Sequence, residues 1–174
     1  VVPEMDCDLT RKGDKIDYAI KKDGRTIILI ECKHCKQNLD LHNTQLSKYY
    51  AASNARFGVL TNGIEYRFYA DLDKTNIMDE KPFLVVNMLD LSDADIEEMK
   101  KFHKSCYNES EILSTAKELQ MMIQIKEILA KNFQSPGDEF TRYFVRSLNN
   151  GKSTPKLIEE YRPIVRKSIL SVIG

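Results

Sequence analysis

Between Lys15 and about Met88 the apolar residues fall in short runs rich in β-branched and aromatic side chains. These are Ile16-Asp17-Tyr18-Ala19-Ile20, Arg25 to Cys32, Phe57 to Thr61, Ile64 to Tyr69, and Phe83 to Met88. Runs of that length and composition predict strands. Lys22-Asp23-Gly24 joins the first two as a hairpin, and Asn62-Gly63 joins the third and fourth as a tight turn needing positive φ, so both pairs are expected to be antiparallel. Between the second and third strands, Leu39, His42, Leu46, Tyr49 and Tyr50 recur at helical spacing within Asn38 to Ser53. A helix there makes a strand, helix, strand crossover, which adds a parallel pair. The expected fold is α/β, with a mixed β-sheet and flanking helices.

After Met88 the pattern turns helical. Ser92 with Asp95 reads as a capping pair, and a second helix is expected over about Glu111 to Phe133. Ser135-Pro136-Gly137-Asp138 predicts a third helix with Ser at the cap and Pro in its first turn, and Ser153-Thr154-Pro155 a fourth begun in the same way. In that last helix Leu157, Ile158, Tyr161, Ile164, Val165 and Ile169 form one apolar stripe, expected to pack within the chain, with Pro163 expected to bend it. The division predicted is a sheet-bearing core over residues 1–90 and a C-terminal helical region over 91–174.

The 174 residues suffice for one ordinary domain with a helical appendage. Hydrophobic residues at 42% and charged residues at 30%, with 7 Gly and 5 Pro, exclude collagen-like and disordered chains. No apolar run approaches the length of a membrane span, since Thr26 to Ile30 is closed by Glu31. The 26 basic and 26 acidic residues cancel, so any grip on a polyanion must come from a local patch. Cys7, Cys32, Cys35 and Cys106 are expected to be reduced thiols in a cytoplasmic protein. The sequence opens at Val1 without an initiator Met, which suggests a natural beginning further upstream.

The chemistry concentrates at Ile27-Ile28-Leu29-Ile30-Glu31-Cys32-Lys33, an apolar strand ending in an acid and a base two residues apart. Alternation projects Glu31 and Lys33 from one face and turns Cys32 to the other, into the sheet. Asp17 interrupts the strand that the hairpin pairs with this one, and a charge there demands a partner or a metal. Asp17 and Glu31 sharing a divalent cation, with Lys33 beside a water, would suit hydrolysis of a phosphodiester. Gln45 and Tyr49 lie one helical turn apart and offer an amide and a phenol to the same place. Cys32, Cys35 and His42 lack the second ligand pair of a zinc site, and Asn149 to Ser153 lacks the first glycine and the strand of a phosphate-binding loop.

At Asp17, Glu31-x-Lys33 and Gln45-x-x-x-Tyr49 the chain resembles the PD-(D/E)XK nucleases, and among them the N-terminal nuclease domain of type I restriction enzyme R subunits. The similarity runs from Val1 to about Met88 and includes Leu60 to Tyr69. The resemblance implies a restriction-endonuclease-like core and a DNA endonuclease of a restriction or defence system, dependent on Mg²⁺ with Mn²⁺ as a substitute. It assigns Asp17, Glu31 and the backbone carbonyl of Cys32 to the metal, Lys33 to the attacking water, and Gln45 with Tyr49 to support of the site or contact with DNA. The partners implied are DNA and translocase or specificity subunits, with no membrane; a second copy through the C-terminal helices is the alternative to packing of the Leu157 to Ile169 stripe within the chain. Two departures stand out. The extra Glu often carried by a helix before the first strand has no counterpart in these residues unless Glu4 substitutes, and these 174 residues leave no room for a translocase. The rival reading is a catalytically silent module of the same fold that binds nucleic acid or a protein.

Overall fold

The structure is a computed structural model and describes residues 1–6, 15–41, 43–103 and 105–173. His42 and Cys7 therefore lie outside the described residues. Six strands follow sequence order across one sheet: β1 Val2–Asp6, β2 Lys15–Lys22, β3 Arg25–Cys32, β4 Phe57–Thr61, β5 Glu65–Tyr69 and β6 Leu84–Asn87. Neighbours pair antiparallel except β3 and β4, which run parallel with Ile30 opposite Val59 and Glu31 opposite Leu60. The sheet is mixed as the sequence predicts. β1 was not foreseen, because Val2-Pro3-Glu4-Met5-Asp6 is short and has few residues that favour strands.

The hairpin between β2 and β3 closes on Asp23 and Gly24, both with positive φ, a conformation Gly takes at no steric cost and Asp tolerates. The turn between β4 and β5 is longer than the tight two-residue form expected, because Thr61 pairs with Tyr66. The parallel pair needs a crossover, supplied by a 3-10 turn Leu39–Leu41 and helix α1 Asn43–Ala51. Leu39, Leu46, Tyr49 and Tyr50 are buried with Leu29, Leu60 and Tyr69 on one face of the sheet. Gly58 on β4 permits this close approach, since a methyl group there would stand 3.2 Å from Leu46 and 3.3 Å from Met78.

On the other face, Ile28, Val59, Phe68 and Val86 pack with Tyr107, Ile112 and Ala116. These last belong to the segment after helix α2 Asp93–Lys100 and to the first turns of helix α3 Glu109–Gln134. Phe102 stacks among Phe57, Phe68 and Phe83. The capping box at Ser92 and Asp95 is present as expected, with each side chain bonded to the other's backbone N–H.

The chain divides into two compact units, Val1–Gln120 and Met121–Gly174, the boundary falling within α3. The second unit holds the end of α3 with helices α4 Asp138–Leu148 and α5 Pro155–Ile173. Two caps differ from expectation. Gly137, not Ser135, stands at the cap of α4, where its N–H is bonded by the Asn132 side chain at 3.0 Å. Thr154, not Ser153, caps α5 by accepting from the N–H of Leu157 at 3.3 Å. α5 continues through Pro163; Ile158 and Val165 of its stripe are buried, whereas Ile164 is 55% exposed. No helix among the described residues is long and apolar enough to cross a membrane.

Because Leu46 is fully buried and ties α1 to the sheet, Leu46→Ala is expected to cost about 2–5 kcal/mol by lost transfer energy and the cavity left behind. Urea denaturation of the two proteins measures this as a lower midpoint with an unchanged slope.

Candidate functional site

β2 and β3 bring two acids together. Their register sets Tyr18 opposite Ile30, so Asp17 and Glu31 fall opposite each other one position further along. Cross-strand neighbours share a face, and this is the face that α1 covers, because Leu29 lies two residues before Glu31. The Asp17 carboxylate accepts from the backbone N–H of Cys32 at 2.7 Å. The ladder continues one residue beyond β3, where the N–H of Lys33 donates to the Thr61 carbonyl at 2.7 Å.

Lys33 points to the same face as Glu31. Its Nζ donates to Glu31 Oε1 at 2.7 Å and to Gln45 Oε1 at 3.1 Å. Of the sequence-predicted residues, then, Asp17, Glu31, Lys33 and Gln45 meet at the C-terminal end of β3. Gln45 and Tyr49 share α1 but differ in setting: Gln45 is exposed, whereas Tyr49 is buried in the apolar layer between helix and sheet. Cys32 departs from expectation. It is exposed at the end of the strand and does not turn into the sheet.

Glu31 carries the unusual electrostatics. It is 2% exposed, its Oε1 is held by Lys33, and its Oε2 is buried without a hydrogen bond. Burial pushes its carboxyl above the ordinary glutamate range; the Lys33 hydrogen bond opposes this, and the charge of Asp17 adds to it. Desolvation, with Asp17 and Glu31 adding, also pushes the Cys32 thiol up, so it is no thiolate nucleophile near neutral pH.

One residue of the site has a role that its sequence context hid. Asn62 was legible only as a turn former, yet its amide nitrogen donates to the carbonyls of Cys35 at 3.4 Å and Gln37 at 3.2 Å. Its amide oxygen accepts from the N–H groups of Ile64 and Glu65. Asn62 thereby ties the loop after Lys33 to the β4–β5 turn. The Asn-Gly signal reports the turn alone.

A group of three or more His, Cys, Asp or Glu placed to hold a metal ion is not found among the described residues. A cage built of protein alone is therefore absent from them. Mg²⁺ does not need one, since it binds through one or two carboxylates and completes its shell with water and phosphate oxygens. The uncompensated oxygen of Glu31 and the half-buried Asp17 on the adjacent strand are suited to that demand.

A raised carboxyl pKa means that the folded protein holds the proton more tightly than the unfolded chain. Its stabilising contribution is complete below the unfolded value and is lost as pH rises through the folded one. In chelator, Glu31→Gln is expected to melt at a higher temperature than the wild type at neutral pH. The difference should close as pH falls below the ordinary Glu value of about 4.3. A lower melting temperature for Glu31→Gln at neutral pH would mean that the ion pair with Lys33 outweighs burial.

No curated protein and no solved structure matches the chain. Residues 1–77 match the family model of the type I restriction enzyme R protein N terminus, a stretch that contains Asp17, Glu31, Lys33, Gln45 and Tyr49.

Proposed function

We propose that the first unit is a Mg²⁺-dependent DNA endonuclease domain of a restriction or related defence system. The observation that supports this most is the position of Lys33 Nζ, shared between a buried carboxylate and the Gln45 amide, beside a second acid on the next strand. The match of residues 1–77 to an R protein N terminus supplies the biological setting.

Asp17, Glu31 and the Cys32 carbonyl would hold the metal, which supplies charge neutralisation at the scissile phosphate and lowers the pKa of water. The protein's own contribution is positional. The Cys32 N–H fixes Asp17, so the first acid and the end of β3 move as one piece. Gln45 and Glu31 together aim the Lys33 ammonium, a donor able to orient the attacking water and to stabilise negative charge on the phosphate oxygens. Gln45 comes from α1, so the helix that completes the fold also sets the direction of the lysine. Tyr49, buried one turn on, anchors that helix and leaves Gln45 free to face the site.

The rival reading keeps the fold and dispenses with the metal. On that reading the unit is a silent module that binds nucleic acid or a protein. Calorimetric titration of Mg²⁺ or Mn²⁺ separates the two, with a site in the wild type and none in Asp17→Ala expected for the enzyme.

Lys33→Ala leaves both carboxylates in place and keeps the backbone bond to Thr61, so metal affinity should change little, while loss of the donor to the buried Glu31 should lower the melting temperature in chelator without changing the fold. Cleavage of DNA in Mg²⁺ should fall by roughly 10²–10⁴-fold, the size of effect expected when a proton-transfer or water-orienting group is removed. A gel-based cleavage assay measures this once a thermal melt has confirmed folding, and equal cleavage by both proteins would remove Lys33 from the mechanism.

A further inference from the structure

The neutrality of the whole chain hides an asymmetry. Residues 121–174 carry nine Lys and Arg against five Asp and Glu, while residues 1–120 carry seventeen against twenty-one. Within the second unit the acids are mostly committed. Asp138 and Glu159 both pair with Arg162, and Glu139 pairs with Arg142. Arg146 has no carboxylate partner among the described residues, and its Nε donates to Ser153 Oγ at 3.2 Å.

These residues are not scattered. Glu139, Arg142, Tyr143 and Arg146 recur at spacings of three and four along α4, so they share one side of the helix. With Ser147 they line an open concavity of about 510 Å³. Tyr143 is 69% exposed there. Ser153, held by Arg146, is preceded by Lys152, which is exposed and has no carboxylate partner among the described residues. Two arginines with fixed donor forks, hydroxyl donors and an exposed ring form the donor set that grips phosphate oxygens and stacks on bases.

We infer that this side of α4 is a second nucleic-acid contact, binding the phosphodiester backbone through Arg142 and Arg146 with Tyr143 available to an unpaired base. The choice of nucleic acid over other polyanions rests on the nuclease reading of the first unit. Glu139 competes with phosphate for Arg142, and an exposed pair three residues apart on a helix is weak enough to be displaced. The second unit thus adds affinity that carries no sequence information.

The test is fluorescence anisotropy with the full chain in chelator, so that cleavage plays no part, using duplex DNA, duplex RNA and single-stranded DNA at several salt concentrations. Arg142→Ala/Arg146→Ala should weaken binding about tenfold or more at low salt, and should reduce the salt slope by about 0.9 for each phosphate no longer neutralised. Lys126→Gln/Lys131→Gln removes the same charge elsewhere in the unit and should change little. Glu139→Gln should tighten binding, a gain that a misfolded protein cannot imitate. Tyr143→Ala should weaken the single strand more than either duplex, and the relative affinities of the duplexes separate DNA from RNA.

Equal weakening by the two double variants, no tightening by Glu139→Gln, or binding to anionic vesicles but not to nucleic acid would overturn the inference. The two proposals fail separately. Loss of cleavage in Lys33→Ala with unchanged binding by the arginine variant would remove this surface and keep the nuclease. The reverse pattern would keep the surface and remove the nuclease.

Discussion

The site depends on β3 and β4 running parallel. A parallel pair cannot be closed by a hairpin, so the chain must leave the end of β3, cross the face of the sheet and return. That constraint puts α1 over Leu29 and Leu60, and it opens a gap at the carboxyl end of the pair, where ligands of open α/β sheets are usually received. Gly58 lets the helix come close enough for Leu46 to fill the space beneath it. Gln45, the neighbour of Leu46 in sequence, then meets Lys33. Moving the helix by the width of one methyl group would disturb both the packing and the aim of the lysine.

Electrostatics and packing pull in opposite directions at Glu31. An apolar side chain would suit its position in the sheet better than a carboxylate, whose second oxygen finds no donor. Lys33 offsets part of the penalty, and Asp17 on the next strand increases it. This is an arrangement that stability alone does not favour, located where a parallel pair ends, and the proposed function rests on it. Asp71 offers the contrast. It is equally buried, but one of its oxygens accepts from Arg56 and the other from the Asn76 N–H, so both are satisfied.

Where local physics determines structure, the sequence was legible. Strands β2 to β6 announce themselves by β-branched and aromatic runs, and Ser92 with Asp95 by reciprocal capping. The grouping of Asp17, Glu31 and Lys33 followed from alternation and a hairpin. What escaped depends on neighbours distant in the chain. β1 exists because β2 offers it an edge, although its own residues barely favour a strand. Cys32 is exposed at the end of its strand, where alternation alone predicts a side chain turned into the sheet. Ser135 does not begin α4, because its N–H still closes the preceding helix on the Lys131 carbonyl at 2.9 Å. The basic character of the last fifty residues was present in the sequence, but the sum over the whole chain concealed it.

The bond from the Lys33 N–H to the Thr61 carbonyl involves only backbone. Any residue other than proline could make it, so this rung of the ladder is indifferent to which side chain stands at this position. Glu31 is different, because its side chain is enclosed by the fold. The backbone at Lys33 is therefore free of its side chain, whereas that side chain and the enclosed carboxylate two residues earlier depend on each other. Exchanging the lysine alone would leave Glu31 Oε1 without its donor inside the fold, so a protein that lost the lysine would be expected to lose stability unless the buried acid were exchanged as well.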